Sequence, residues 1–391
     1  MIDPSAFTPP YDHHLCRGLT TVGCDLTLYS TRADYYLWDG DTPYDRVEYF
    51  YRHTDALYRD RDGMPGRAAV KGLEHLVDMT RFVRKARACD PDVVHVQWAP
   101  VPVVDRWFFR ALAQIAPLVF TVHDTTPFHD ASTSVLQLLD ADVVYDEADQ
   151  LIVHTEGSRD ELVDQGISPD DISVIPHGVL EYPDETAASG RNERSAGANE
   201  DDSQTILFFG TIKPYKRIDV LLEAFALLPS ETRATTELLV AGNPKMDVEP
   251  LHRQAADLGI QSSVRWDLRF VPDPEVPVLF DAADLVVFPY DDIDQSGSLL
   301  TAVQYETPIV ATRIAGFAEV LTDGEHGFLV PPDSPSALAD AMDRVVTDPE
   351  LAEQMSKNVG DLVESIPSWK SIAHSTRGVY ESLCFDLADN R

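Results

Sequence analysis

The sequence predicts an α/β chain made of two doubly wound parallel-sheet domains, and three observations carry that reading. Apolar runs of strand length alternate with segments of helical period along most of the chain, the pattern of parallel strands covered by helices on both faces. The alternation breaks once, at DETAASGRNERSAGANEDDSQ, which has no apolar periodicity and is rich in small and charged residues. The 391 residues suffice for two domains that each bury a core. The expected organisation is a first Rossmann-like domain over 1–183, a linker or surface loop over 184–203, a second Rossmann-like domain over 204–365, and a closing segment over 366–391 that packs back on the first.

The elements follow in order. Pro4 arrives after only three residues, so the opening strand of the first domain is vestigial or lies upstream of the given start. A helix is expected over 12–22 and a strand over 25–29, then a polar, aromatic loop over 31–66. An amphipathic helix over 66–88 has Leu73, Leu76, Val77 and Val83 as its apolar side. Strands over 93–98, 118–123, 150–155 and 172–176 alternate with helices over 105–116, 132–148 and 158–165. In the second half, strands are expected over 205–209, 237–241, 263–267, 285–288, 309–311 and 328–330, with further helices after Pro335 and a last one over 369–387.

Composition narrows the partners. Sixty-six acidic residues against 31 basic give a formal charge of −35, which repels nucleic acid and suits a salt-rich cytoplasm where screening weakens self-repulsion. Cys16, Cys24, Cys89 and Cys384 are scattered without metal-ligand spacing, as for reduced thiols in a cytoplasmic protein. No apolar run approaches the length of a membrane span, and the N-terminus lacks the charge and apolar regions of a signal peptide. The helix over 66–88 reverses the local sign with Arg67, Lys71, Arg81, Arg84, Lys85 and Arg87. It either contacts an anionic acceptor or lipid headgroups, as a peripheral membrane protein would, or packs beside acidic neighbours.

The chemistry concentrates where second-half strands give way to helices, since ligands of open parallel sheets bind beyond the carboxyl ends of the strands. ILFFGTIKPYKRIDVLLEAF reads as strand, a turn at Gly210, a basic loop and a helix, and it holds Lys213 and Lys216 of only seven lysines in the chain. Lys213, Lys216 and Arg217 crowd a helix start whose N–H groups are already positive, so an anion such as a diphosphate is expected among them. A second junction, LVVFPYDDIDQSGSLLTAVQYETP, starts a helix near Ser296, which leaves the amides of Gly297, Ser298 and Leu299 facing outward; taken alone, Ser-Gly-Ser is no more than a helix cap. A third lies at Ala315-Gly316-Phe317-Ala318-Glu319, equally weak when taken alone. In the first half His123 ends a strand, where it can bond a polar ligand across a cleft or serve structure only. His95, His154 and His177 also lie near strand ends without metal-ligand spacing, and no G-x-G-x-x-G follows a strand.

These motifs resemble the family 4 retaining glycosyltransferases of the two-Rossmann-domain fold called GT-B, in which the domains face each other across a cleft. FFGTIKPYKRIDVLLEAF, AADLVVFPYDDIDQSGSLLTAVQYETPIVAT and GFAEVLTDGEHGFLVPP carry the likeness in the second half, and DVVHVQWAP, LVFTVHDTTP and ISVIPHGV carry it more loosely in the first. The resemblance implies transfer of a sugar from a nucleotide-sugar donor to an acceptor hydroxyl, with retention, without a metal and without any cofactor; the basic helix over 66–88 points to a lipid-linked or polysaccharide acceptor. It implies that Lys213 and Lys216 hold the donor diphosphate beside Gly210 and the amides around Ser296, Gly297, Ser298 and Leu299. It further implies that Arg269, Phe270 and Val271 lie near the nucleobase and that His123 faces the donor sugar. The chain departs from the family where many members carry two glutamates in the second junction, since Ile293 and Thr301 stand there, and Thr211 replaces an arginine of the first. A Gln-Ser-Gly variant branch shares this feature. The alternatives are a non-catalytic nucleotide-sugar-binding protein and a sugar-nucleotide epimerase on the same fold.

Overall fold

The computed structural model describes residues 1–33, 42–58, 66–125, 141–182 and 203–389. The expected linker falls almost wholly outside them, as does most of the helix expected over 132–148, of which the described end is a tight 3-10 turn. The chain forms two compact units, one built from the residues up to 178 with those from 367 onward, the other from 179 to 366.

The first unit is a seven-stranded parallel sheet. Its strands are β1 (Ile2–Asp3), β2 (Thr27–Ser30), β3 (Asp45–Glu48), β4 (Val94–Val96), β5 (Leu118–Thr121), β6 (Gln150–Val153) and β7 (Ile172–Val174), in the spatial order β3-β2-β1-β4-β5-β6-β7. The opening strand is two residues long yet central, with Ile2 opposite both Tyr29 and Val96. Two elements lie inside the stretch expected to be loop. These are β3, a polar edge strand, and the helix Arg52–Tyr58. The closing helix Trp369–Asp389 packs against the helix Pro9–Thr21.

The helix Arg67–Cys89 faces the other way from its expected side. Glu74, His75 and Asp78 are buried with Met79, Phe82 and Val83, while Leu73, Leu76 and Val77 are exposed. Hydrogen bonding explains the reversal. Glu74 accepts from the amides of His53 and Thr54 and from the Thr54 hydroxyl, and Asp78 accepts from the Tyr51 amide at 2.9 Å. The two carboxylates thus satisfy free N–H groups where the helix Arg52–Tyr58 begins, a pairing that outweighs the burial of three aliphatic side chains. Burial opposes the Glu74 charge, but the Thr54 hydroxyl and these amides hold its pKa below the usual carboxylate range.

The second unit is a six-stranded parallel sheet of β8 (Gln204–Phe209), β9 (Thr236–Ala241), β10 (Val264–Asp267), β11 (Leu285–Phe288), β12 (Ile309–Thr312) and β13 (Gly327–Val330), in the order β10-β9-β8-β11-β12-β13. Strands β11 and β12 are buried along their whole length, as expected of strands covered on both faces. In the helix Ile218–Leu227, the apolar residues Ile218, Leu221, Leu222 and Phe225 pack into this core as their spacing predicts. The strand order reverses between β8 and β11, so the loops leaving those two strands diverge and open a crevice at their carboxyl ends.

Candidate functional site

The crevice is built first from backbone. After β8 the chain passes Gly210 at φ +131°, and after β9 it passes Gly242 at φ +153°, both in the left-handed half of the map that favours glycine. A Cβ on Gly242 would run into the Gly210 carbonyl oxygen. The amides of Gly210 and Ile212 donate to Ala241 and Asn243, and the Lys245 amide donates back to Ile212, so the two exit loops are hydrogen-bonded together. Gly242→Ala combines a forbidden dihedral with a backbone clash and is expected to lower stability by about 3 kcal/mol or more, read as a fall in the urea midpoint.

The three cations of the first loop separate into two kinds. Lys216 is buried, and its Nζ lies 4.7 Å from the centroid of the Tyr290 ring. Lys213 is half-buried, with Nζ 5.9 Å from the Tyr215 ring. Arg217, at φ +49°, pairs with Asp219 at 3.1 Å, Asp291 at 3.6 Å and Asp333, and these hydrogen bonds, that of Asp219 first, raise its pKa above the usual guanidinium range. It therefore ties together the loops after β8, β11 and β13, and the sequence expectation that it contributes to an anion-binding trio is corrected: carboxylates already neutralise it.

At the second junction Ser296 caps the helix Gly297–Gln304, and its hydroxyl accepts from the Leu299 amide at 3.2 Å. Leu299, expected to face outward, thus has its amide taken up internally, and among the described residues the Gly297 and Ser298 amides are the ones left without a protein acceptor. Thr301 is fully buried, and its hydroxyl donates to the Gly297 carbonyl at 2.8 Å. The third junction supports the second, for a side chain on Gly316 would strike the carbonyls of Ile293 and Asp294.

Lys216 and Ser298 converge. A Cβ placed on Gly210 would lie 2.8 Å from Lys216 Nζ and 2.6 Å from Ser298 Oγ, so one small volume is bounded by an ammonium, a hydroxyl and the start of a helix. Tyr290 floors it. Its fully buried phenol lies near the Ser296 and Ser298 hydroxyls without a well-directed bond to either, and burial drives its pKa well above the usual phenol range. The Gln295 Oε1 is also buried without a hydrogen-bond partner among the described residues. Sequence reasoning passed over both, though the Phe-Pro-Tyr that ends an apolar strand beside Gln-Ser-Gly was a usable signal.

Beyond β10, Arg269 is exposed and pairs with Asp267 at 2.7 Å and with Glu275. Phe270 is exposed, while Val271 is buried in the core.

In the first unit His123 follows β5 and belongs to a cluster of rings from four strand ends. Trp98 stacks on it at 4.9 Å and 9°, and Tyr11 meets it edge-on at 4.8 Å. His123 Nε2 lies 3.1 Å from Gln97 Oε1, and His123 Nδ1 lies 3.3 Å from His154 Nε2. His154 Nδ1 donates to the Ile175 carbonyl at 2.9 Å, and Tyr380 bonds His95 Nδ1 at 2.6 Å. Burial, then the neighbouring rings of His154, His177 and His95, hold the His123 pKa well below the usual imidazole range; burial likewise lowers His95 and His177 to about 3. His123 is thus a neutral ring in fixed orientation near neutral pH. Arg81, Arg84 and Lys85 sit far along the chain on the exposed side of the helix Arg67–Cys89, where Arg81 pairs with Asp78 at 3.4 Å. Among the described residues, no three His, Cys, Asp or Glu side chains group as metal ligands, and no helix is long and apolar enough to cross a membrane.

Two doubly wound sheets, one with a cationic crevice at its switch point, define the architecture of a GT-B glycosyltransferase. Residues 11–180 match the family described as Glycosyltransferase Family 4 and residues 190–360 match Glycosyl transferases group 1. The D-inositol 3-phosphate glycosyltransferase of Kribbella flavida is 30% identical over 302 residues, which cover 73% of this chain and 68% of that protein. The chain belongs to the family 4 glycosyltransferases and is a glycosyltransferase. Among solved structures, Anabaena HepE in complex with UDP and glucose aligns over 98% of both chains with a TM-score of 0.72 at 18% identity. The sucrose-phosphate synthase of Thermosynechococcus elongatus aligns over 95% of this chain and 92% of its own with a TM-score of 0.70 at 19% identity. At these identities both likenesses speak to the fold.

Proposed function

We propose that the chain moves a sugar, with retention, from a nucleoside-diphosphate sugar to the hydroxyl of a sugar or lipid-linked acceptor, as a member of the Gln-Ser-Gly branch of its family. The observation that carries this reading is the meeting of Lys216 Nζ, Ser298 Oγ and two free helix amides at the switch point of the second sheet. In this reading the donor diphosphate lies there with Lys213 nearby and the nucleobase lies toward Arg269, Phe270 and Val271; for His123 the role is that of a hydrogen-bonding group for a sugar hydroxyl. The neutral state of His123 suits a hydrogen-bonding role better than charge pairing.

The chemistry follows from the charges. As the bond from the anomeric carbon to the diphosphate oxygen breaks, negative charge grows on that oxygen, and the ammonium and amide donors stabilise it more than they stabilise the bound donor. The acceptor oxygen bonds to the anomeric carbon on the face the diphosphate leaves, and its proton passes to the departing phosphate oxygen. No protein base is required, in keeping with Thr301 and Ile293 standing where other members carry glutamates.

UDP is the first nucleotide to test, since HepE was solved with it. At about a hundredfold excess over Kd, UDP is expected to stabilise the chain by about 2.7 kcal/mol, seen as a rise in Tm that UMP and inorganic phosphate do not match. Absence of a shift with UDP, GDP and ADP alike overturns the donor site. A shift with no turnover on any acceptor and no donor hydrolysis leaves a binding protein in place of an enzyme.

A further inference from the structure

The inside-out helix leaves a surface that the transfer reaction does not use. Three neighbouring helices of the first unit, Arg52–Tyr58, Arg67–Cys89 and Pro102–Ala113, lie side by side, with Arg67–Cys89 in the middle. Six large apolar side chains stand on them in solvent. Leu73 is 66% exposed, Trp107 67% and Leu57 65%, and Leu76, Val77 and Val103 are exposed as well. Half of the exposed large hydrophobics of the described residues are therefore on one row of helices, which scattered surface chance does not produce.

The charge on the same row has a direction. The two carboxylates of the helix Arg67–Cys89 are spent inward, on the start of the helix Arg52–Tyr58. Its outer face therefore carries Arg84, Lys85 and Arg87 with no ion pair among the described residues, although the whole chain is at −35. Apolar residues in the first turns and cations in the last give one helix an aliphatic end and a basic end on the same exposed side.

We propose that this row of helices docks on a lipid surface bearing acidic headgroups, with Leu73, Leu76, Val77 and Trp107 entering the boundary layer and Arg84, Lys85 and Arg87 lying on the phosphates. The combination is that of an interfacial helix, whose aliphatic residues sink a few ångströms while long cationic side chains reach back to the headgroups. A tryptophan at the rim suits the same boundary. A second copy of the chain fits less well. A two-fold contact sets the patch against itself, which can bury its apolar residues but brings no carboxylate of the facing helix Arg67–Cys89 to Arg84, Lys85 and Arg87, since Glu74 and Asp78 are turned inward. The −35 of the chain does not prevent docking, because at 0.15 M salt the Debye length is about 8 Å and a bilayer in contact meets the local cations.

The inference rests on the lipid-linked form of the acceptor and deepens it, and its test needs no nucleotide. The full chain is mixed at 0.15 M salt with vesicles of phosphatidylcholine alone and with vesicles containing one-third phosphatidylserine, and floated on a density gradient. Flotation with the acidic vesicles alone is expected. Leu73→Glu with Trp107→Glu, and separately Arg84→Glu with Lys85→Glu, are each expected to reduce it at least tenfold while circular dichroism stays unchanged. A wild-type chain that never floats, or variants that float as it does, overturns the proposal. So does a wild-type dimer that Leu73→Glu converts to monomer, which assigns the patch to a second copy. A missing UDP shift with intact flotation removes the donor site and leaves this surface standing.

Discussion

Replacing Lys216 by methionine is expected to lower kcat by about 10²- to 10³-fold, a loss of about 3–4 kcal/mol of transition-state stabilisation. Methionine keeps most of the stem that packs over Tyr290 and removes the ammonium, so the fold should hold and Tm should change little. Because the leaving oxygen carries more charge in the transition state than in the bound donor, kcat should fall further than KM rises. The double replacement of Lys213 and Lys216 should abolish the UDP-induced rise in Tm as well. Initial rates beside thermal shifts measure both, and a double variant with wild-type kcat and an intact UDP shift removes the diphosphate from this crevice. Arg217→Met is the internal contrast. That side chain is neutralised by three carboxylates, so its removal should act through loosened loops, with a fall in Tm, more than through the charge presented to the donor.

Acid should unfold the first unit by way of its histidines. In the unfolded chain these imidazoles protonate near 6.5, whereas in the fold His95 and His177 wait until about 3 and His123 also lies well below the ordinary value. Between those limits the unfolded state binds more protons. The histidine contribution to stability is therefore flat above pH 6.5 and falls as pH drops toward 3. Three such groups approach a slope of about 4 kcal/mol per pH unit, a ceiling that the partial solvent access of His123 and His177 lowers. The buried Asp3 and Asp12 act in the opposite direction, since burial raises both and, as pH falls, the fold takes up their protons before the unfolded chain does. Urea midpoints at pH 7.5, 6.5, 5.5 and 4.5 measure the net effect, and His95→Gln isolates one ring. A wild-type midpoint unchanged from pH 7.5 to 5, or a His95→Gln variant with the wild-type slope, contradicts this account.

The second sheet could be read from the sequence because its strands are buried on both faces, so Ile206 to Phe208 and Leu285 to Phe288 stand as unbroken apolar runs. The lysine loop was legible for a different reason, as a local excess of a residue type the chain otherwise avoids. One strand of the first sheet was not. β3 is Asp-Arg-Val-Glu on an edge, where one side meets solvent and the pattern carries no apolar signal, whereas the two-residue β1 is the vestigial strand that the early Pro4 left as one alternative. The face of the helix Arg67–Cys89 was misread because periodicity weighs apolar residues alone. Glu74 and Asp78 are inside on account of amides in a helix that the sequence did not reveal. Arg217 was grouped with the lysines by charge, and only the fold brings Asp291 and Asp333 from distant loops to meet it.

The contact of Gly242 with the Gly210 carbonyl bears on which donors the enzyme accepts. Peptide groups that touch, with no side chain between them, cannot draw closer around a smaller guest or part for a larger one. A diphosphate held against such a wall meets the same fittings whichever base and sugar are attached to it. In the proposed reading, substrate choice then falls to more adaptable margins such as the exposed Arg269 and Phe270, so exchanging donors by mutation is a matter of altering those margins and leaving the glycine wall alone.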